Sequence, residues 1–403
     1  MPDTAAVMAR DARLGDPLRP PADPSAELGR PRRILLTGVT GFLGGQLAAE
    51  LLRATDARLW CVVRARPDAD PRDRLADACR RNGLDASRVA LVPSDDPGGG
   101  IAAALADPAL RGRIDTVVHC AAQVNLFAPY PALRDANVRG ARAVLHFAAN
   151  GAPKAVHHVS TTGVFLSPHY RRGTVFEDEP LQGEDGLRNG YTQSKWAADT
   201  MMARARERGF RVTVYRPAFV GWHSRTGRPG EHDLVALLLR ASWAAGCAPP
   251  LDLQINSSPV DTVARTVAGV VGCPGAWNAT YHVVNRGAVR FVDLAALAGL
   301  PVVSFPQWTL AVRRRAPRLA RFAAMVEAAQ GDERSGAEEL AFRYDRTYDD
   351  KRLRAVLGSR RPRPVPLDAD YLCRLFAWPP DGAAPRHGEA WGRACPLPAT
   401  AAS

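Results

Sequence analysis

The 403-residue sequence predicts an α/β fold: a doubly wound parallel sheet followed by a smaller, mainly helical C-terminal domain. Three observations predict it. From Arg33 to Pro217, short β-rich runs alternate with helix-like segments. The runs are apolar throughout rather than at every second residue, the pattern of strands covered on both faces of a parallel sheet. A glycine-rich turn, Thr37-Gly38-Val39-Thr40-Gly41-Phe42-Leu43-Gly44, joins the first run to the first helix, where such sheets hold dinucleotides.

Residues 1–30 are rich in Pro, Asp and Arg, show no period, and read as a flexible N-terminal extension. RILLTG opens the first strand at Arg33, QLAAELLRA has helical periodicity, and ARLWCVVRA is the second strand. DPRDRLADACRRNG is a helix stopped by Gly83; RVALVPSD and IDTVVHCAA are the third and fourth strands. YPALRDANVRGARAVLHFAAN reads as one long helix, KAVHHVSTTGVF as the fifth strand, YTQSKWAADTMMARARERGF as a helix and RVTVYRP as the sixth strand. Residues 31–220 are therefore assigned to a Rossmann domain. After Pro217 the rhythm breaks, leaving isolated pieces such as DTVARTVAGVVG and YHVVN. Residues 221–372 are read as a substrate or capping domain with some segments returning to the first, and 373–403 as a largely irregular tail.

Composition narrows the function classes. The chain has 53 basic and 41 acidic side chains, a net charge of +12, yet lysine occurs only at Lys154, Lys195 and Lys351. The arginines are spread along the chain with no nucleic-acid-binding module, so no nucleic-acid partner is expected. No apolar run approaches the ~18 uncharged residues of a membrane helix, and the N-terminus lacks the apolar stretch of a secretory signal. Seven cysteines form no C-x-x-C pair. Neither a disulfide framework nor a metal cluster is expected, and a cytoplasmic location fits best.

In the glycine-rich turn, Gly38 permits the tight bend, Gly41 lets backbone approach a pyrophosphate, and Gly44 lets helix pack on strand. The helix N-terminus at Phe42 and Leu43 then faces the anion. The second strand ends at Arg64, with Arg66 two residues on, where an NAD-selective site places Asp or Glu; arginine there accommodates a 2′-phosphate, so the expected cofactor is NADPH. Asp95, after the third strand, is either an adenine acceptor or a plain turn residue.

Tyr191 and Lys195 stand four apart on a predicted helix and project from one face. With 8 tyrosines and 3 lysines in the chain, chance places about 0.06 such pairs. An ammonium beside a phenol is expected to lower a tyrosine pKa that starts near ~10, giving a general acid–base. Thr161, at the end of the fifth strand, lies at the carboxyl edge where ligands bind.

These motifs, with VVHCAA, NVRG, STTGV, YTQSKWAAD, VYRP and Pro259-Val260-Asp261, resemble extended short-chain dehydrogenase/reductases over residues 33–290. Within them the chain looks most like the thioester reductase domains that end nonribosomal peptide and polyketide synthetases and carboxylic acid reductases. The resemblance implies that Thr161 and Tyr191 bind the substrate carbonyl oxygen, that Lys195 holds the nicotinamide ribose, and that Asn137 serves a proton relay or is an ordinary polar helix residue. It implies an acyl thioester substrate on an acidic acyl or peptidyl carrier protein or on coenzyme A, released as an aldehyde or alcohol. No adenylation or carrier segment is present, so the expectation is a stand-alone reductase. Departures are Asp199 for a usual glutamate, Ala141 for a threonine, and Ser94-Asp95 for Gly-Asp. The rival readings are a hydroxysteroid-type or sugar-type dehydrogenase or epimerase, and a non-catalytic NADP-sensing regulator.

Other residues are read more plainly. His157 and His158 are adjacent on a strand and point to opposite faces, so they do not chelate one ion. Cys120 lacks an evident base and reads as core packing. Arg313, Arg314, Arg315, Arg318 and Arg321 form a solvated helical face or a dock for an acidic carrier.

Overall fold

In the computed structural model, residues 4–15, 18–21, 28–94, 101–231, 233–285, 287–329 and 345–378 are described. The elements run α1 (Thr4–Asp11), β1 (Arg33–Thr37), α2 (Phe42–Ala54), β2 (Arg58–Arg64), α3 (Pro71–Asn82), β3 (Val89–Ser94), α4 (Ala102–Leu105), α5 (Pro108–Arg113) and β4 (Thr116–His119). There follow α6 (Tyr130–Arg134), α7 (Gly140–Ala148), β5 (Ala155–Val159), β6 (Arg172–Val175), α8 (Gly190–Glu207), β7 (Arg211–Pro217), β8 (Phe219–Gly221), α9 (Leu234–Ala245), β9 (Gln254–Ile255) and β10 (Ser257–Pro259). The remainder comprises α10 (Val260–Val271), β11 (Thr280–Val283), β12 (Val289–Arg290), α11 (Phe291–Leu297), α12 (Phe305–Arg315), α13 (Ala320–Ala329), β13 (Asp345–Tyr348) and the helices Lys351–Leu357 and Ala369–Ala377.

The chain divides into two compact units. The first contains Met1–Pro217, Val263–Val283 and Arg346–Pro362. Its centre is a seven-stranded sheet in the order β11-β7-β5-β4-β1-β2-β3, parallel at every pairing. Ile34, Leu35 and Leu36 of β1 are fully buried and all five residues of β5 are buried, because helices cover both faces. The strand order reverses at β1, between β4 and β2, and in such sheets ligands bind beyond the carboxyl ends at that point. YHVVN supplies β11, which pairs with β7 and adds a seventh strand to the six read from sequence. The α3 helix starts where Asp70 accepts from the Arg72 amide at 2.6 Å ahead of Pro71, and it stops at left-handed Gly83.

Three sequence expectations change. The stretch read as a flexible extension carries α1, which packs on α8 with Met8, Ala12, Leu14 and Leu18 buried. Asp11 anchors it: its carboxylate accepts from the Tyr130 hydroxyl at 2.7 Å and from the Arg134 guanidinium. The long helix after β4 is interrupted by a π-turn over Asp135–Arg139. The fifth strand ends at Val159, so Thr161 lies beyond it and caps a short 3₁₀ turn, Thr162–Phe165.

The second unit contains Ala218–Thr262, Val284–Asp345 and Arg363–Ser403. Its described part holds the small ladders β8–β10 and β9–β12 and several helices. Trp222 and Tyr371 stack at 4.3 Å and exchange hydrogen bonds with each other's carbonyls at 2.9 and 2.7 Å. α9 packs on α12, where the Trp308 indole donates to Ser242 Oγ at 3.2 Å. The segment 373–403, read as irregular, begins inside the helix Ala369–Ala377; residues 379–403 lie outside the described residues. Cys61, Cys79, Cys120, Cys247 and Cys273 are free thiols, whereas Cys373 is disulfide-bonded. Among the described residues no helix is long and apolar enough to cross a membrane.

Candidate active site

The glycine-rich turn is shaped by close approach. Gly38 has φ +87°, and a Cβ there would lie 2.8 Å from the Ala121 amide nitrogen at the end of β4. A Cβ on Gly44 would lie 1.9 Å from the Gly38 carbonyl oxygen, so the first turn of α2 can sit against the loop only with glycine at this position. Gly41 is the N-cap and supplies no side-chain cap, leaving the amides at Phe42, Leu43 and Gly44 without a capping side chain at a positive dipole end. Thr37, expected beside the cofactor, is fully buried; its hydroxyl bonds His119 Nδ1 at 2.8 Å and accepts from the Ala121 amide at 3.1 Å. Its side chain thus ties β1 to the loop after β4.

At the end of β2, Arg64 is half-buried and Arg66 exposed. A third guanidinium joins them that sequence reading missed. Arg74, on α3, donates to the Arg64 carbonyl and, at 3.4 Å, to Thr40 Oγ1 of the glycine-rich turn. Burial first, then repulsion from Arg66, holds Arg64 below the usual arginine range; burial, Arg66 and Arg64 do the same to Arg74. An anion between these groups relieves that repulsion. Nothing in the local sequence marks Arg74, because α3 brings it back to the turn only through the tertiary fold. Asp95 lies outside the described residues.

Thr161, Tyr191 and Lys195 meet at the carboxyl edge of β5. α8 begins where Asn189 accepts from the Thr192 amide at 2.8 Å, which sets Tyr191 in the first turn and Lys195 one turn on. The Thr161 hydroxyl accepts from the Gly163 amide at 3.0 Å and lies near enough to Tyr191 to pull its pKa downward. The expected lowering of the tyrosine pKa does not occur in this state. Burial and the neighbouring Cys120 push Tyr191 up to about 12 against the opposing pull of Thr161, so the phenol holds its proton at neutral pH. Lys195 is buried and donates to the Val159 carbonyl at 2.7 Å; burial brings its pKa down to about 8.

A buried ion pair backs the lysine. Asp199, one turn beyond Lys195, accepts from Arg216 at 2.9 and 3.0 Å and from Ser160 Oγ at 2.6 Å. Ser160 precedes Thr161, so this network joins α8, β7 and the loop at the carboxyl edge of β5. Asp199 is held below the usual carboxylate range by Arg216, Ser160 and Lys195 despite burial. The shorter Asp199 in place of glutamate thus keeps a bidentate partner. Asn137, in the π-turn, donates to the Gln123 carbonyl at 3.0 Å and to Ser194 Oγ at 2.9 Å and accepts from the Gln123 amide at 2.7 Å. Burial pushes Cys120 up to about 12, which leaves it a thiol at neutral pH. His157 bonds the Tyr215 hydroxyl at 2.8 Å, and no group of three or more His, Cys, Asp or Glu side chains fit to hold a metal occurs among the described residues.

The profile of the family described as male sterility protein matches residues 36–267. The terminal R domain of the myxalamid PKS-NRPS pathway superposes with a TM-score of 0.76 at 31% identity, covering 93% of this chain and 96% of that one. The isonitrile lipopeptide synthase of Streptomyces coeruleorubidus is 36% identical across 66% of this chain, and the glycine betaine reductase ATRR of Emericella nidulans 34% across 76%. This chain spans only 18% and 25% of those two proteins' lengths.

Proposed function

Because the chain belongs to the male sterility protein family, alongside the terminal reductase domain of a peptide–polyketide synthetase, we propose that it is an NADPH-dependent reductase of carrier-bound acyl thioesters. The observation that carries the reading is the arrangement of Thr161 just past β5, Tyr191 in the first turn of α8 and Lys195 one helical turn on, its ammonium on the Val159 carbonyl, at the sheet edge that also bears the glycine-rich turn. The amides at the start of α2 would hold the pyrophosphate, Arg64, Arg66 and Arg74 the 2′-phosphate, and Lys195 the nicotinamide ribose. NADPH, when bound, would supply the hydride that a thioester carbonyl carbon takes up. Thr161 and Tyr191 stabilise the oxygen as charge develops on it, and Tyr191 gives it the phenol proton. The resulting hemithioacetal breaks its C–S bond as the C=O bond re-forms, and the hydroxyl proton leaves with the thiol. The free aldehyde is the product. Residues 218–262 and the rest of the second unit are the substrate domain in this reading, and the cytoplasm, where NADPH is regenerated, is its setting.

A phenol kept protonated suits reduction, in which tyrosine must donate. This reading is tested by supplying NADPH with a series of acyl pantetheine and coenzyme A thioesters, following thiol release and trapping the aldehyde with an alkoxyamine. One thiol and one aldehyde per NADPH are expected. NADPH oxidation with a sugar nucleotide or steroid ketone, and none with any thioester, moves the chain to the rival dehydrogenase reading.

The pH profile follows from Lys195. Its charged form is the working form, and burial lowers its pKa to about 8, so the loss falls on the alkaline side. kcat/KM is expected to be level near neutrality and to fall roughly tenfold per pH unit above about 8, since this parameter reports the free enzyme. Lys195→Arg should move that limb upward by more than a unit. A limb that stays in place assigns it to another group.

A further inference from the structure

We propose that the outer face of α12 and the turn into α13, in the second unit, is the docking surface for the carrier protein that delivers the thioester. This rests on the carrier-bound reading above. Trp308, Thr309 and Val312 turn α12 inward, so the opposite face is free: Pro306, Leu310, Arg313 and Arg314 lie at helical spacing and are all exposed, Leu310 at 46%. Arg318 and Arg321 continue the exposed row. Between Asp293 and Glu327 the chain has five arginines and no carboxylate. Arg315 is engaged, donating to the Ala245 carbonyl at 2.9 Å, while Arg313, Arg314, Arg318 and Arg321 form no ion pair with a carboxylate among the described residues.

Helix electrostatics accounts for Arg313 and Arg314, which close α12 at its negative end. It does not account for Arg321, which stands in the first turn of α13, where a cation is disfavoured. An apolar centre ringed by guanidinium groups that meet no carboxylate among the described residues matches a partner that is anionic and presents a small apolar patch. A carrier protein fits that chemistry: its arm is joined through a phosphodiester, anionic at every physiological pH, set on an acidic helical surface.

The test compares the best acyl group of the thioester series as a pantetheine thioester and on an acidic, phosphopantetheinylated carrier protein. The double reversal Arg314→Glu/Arg318→Glu should raise KM for the carrier-bound substrate by about tenfold at low salt and leave the pantetheine substrate unchanged. Arg314→Gln/Arg318→Gln should give a smaller rise. At ~0.5 M salt, with a Debye length of about 4 Å, wild type and variants should converge on the carrier substrate. An unchanged KM for the carrier substrate, or an equal rise for both substrates, overturns the dock and leaves the reductase reading standing. Wild-type turnover of the pantetheine substrate with none of the carrier-bound one removes the carrier reading, and the dock with it.

Discussion

Tyr191→Phe is expected to lower turnover by roughly 10²–10⁴ with NADPH affinity little changed. The variant keeps the ring in the first turn of α8 and removes only the hydroxyl. The phenol is protonated at neutral pH, so what is lost is a proton donor and an oxyanion ligand together, not a phenolate. Cofactor contacts belong in this scheme to the glycine-rich turn, the arginines and Lys195, which the substitution leaves in place. Lys195→Ala should weaken NADPH binding as well as turnover. Single-turnover rates and NADPH titration by fluorescence separate the two effects. Activity of Tyr191→Phe within a few-fold of wild type would show that water or another group supplies the proton.

Much of this site is legible in the sequence because its parts are local. The glycine-rich turn needs three glycines within one strand–turn–helix, and the tyrosine–lysine pair needs one helical turn; both are recorded in consecutive residues. The α1 helix was not legible, since eight residues of weak periodicity are stable only through burial of Met8 and the clasp of Asp11 on Tyr130 and Arg134, more than a hundred residues away. The π-turn at Asn137 was hidden for the same reason. Its side chain is satisfied by Gln123 and Ser194, and neither partner is implied by the spacing of the helix. The tyrosine pKa was misread because the spacing shows the lysine and not the burial. Lys195 spends its ammonium on the Val159 carbonyl, and burial at Tyr191 outweighs charge.

Cofactor choice gives the second large effect. Arg64→Ala should weaken NADPH binding by about 10- to 150-fold, the loss of one charge-assisted contact of about 1.5–3 kcal/mol, and should leave NADH binding nearly unchanged. Arg74→Ala is expected to behave differently. Its guanidinium also donates to the Arg64 carbonyl and to Thr40 Oγ1, so it holds the end of β2 against the glycine-rich turn. Removing it takes away a phosphate ligand and loosens the frame, so NADPH should suffer most while NADH also loses several-fold. The double variant should lose less than the product of the two single effects, because Arg74 positions the strand end that carries Arg64. Measured dissociation constants for both cofactors with the three variants decide the matter. Equal losses for NADPH and NADH in Arg64→Ala would mean that this arginine does not read the 2′-phosphate. A strictly multiplicative double variant would instead make Arg74 an independent ligand with no part in placing Arg64.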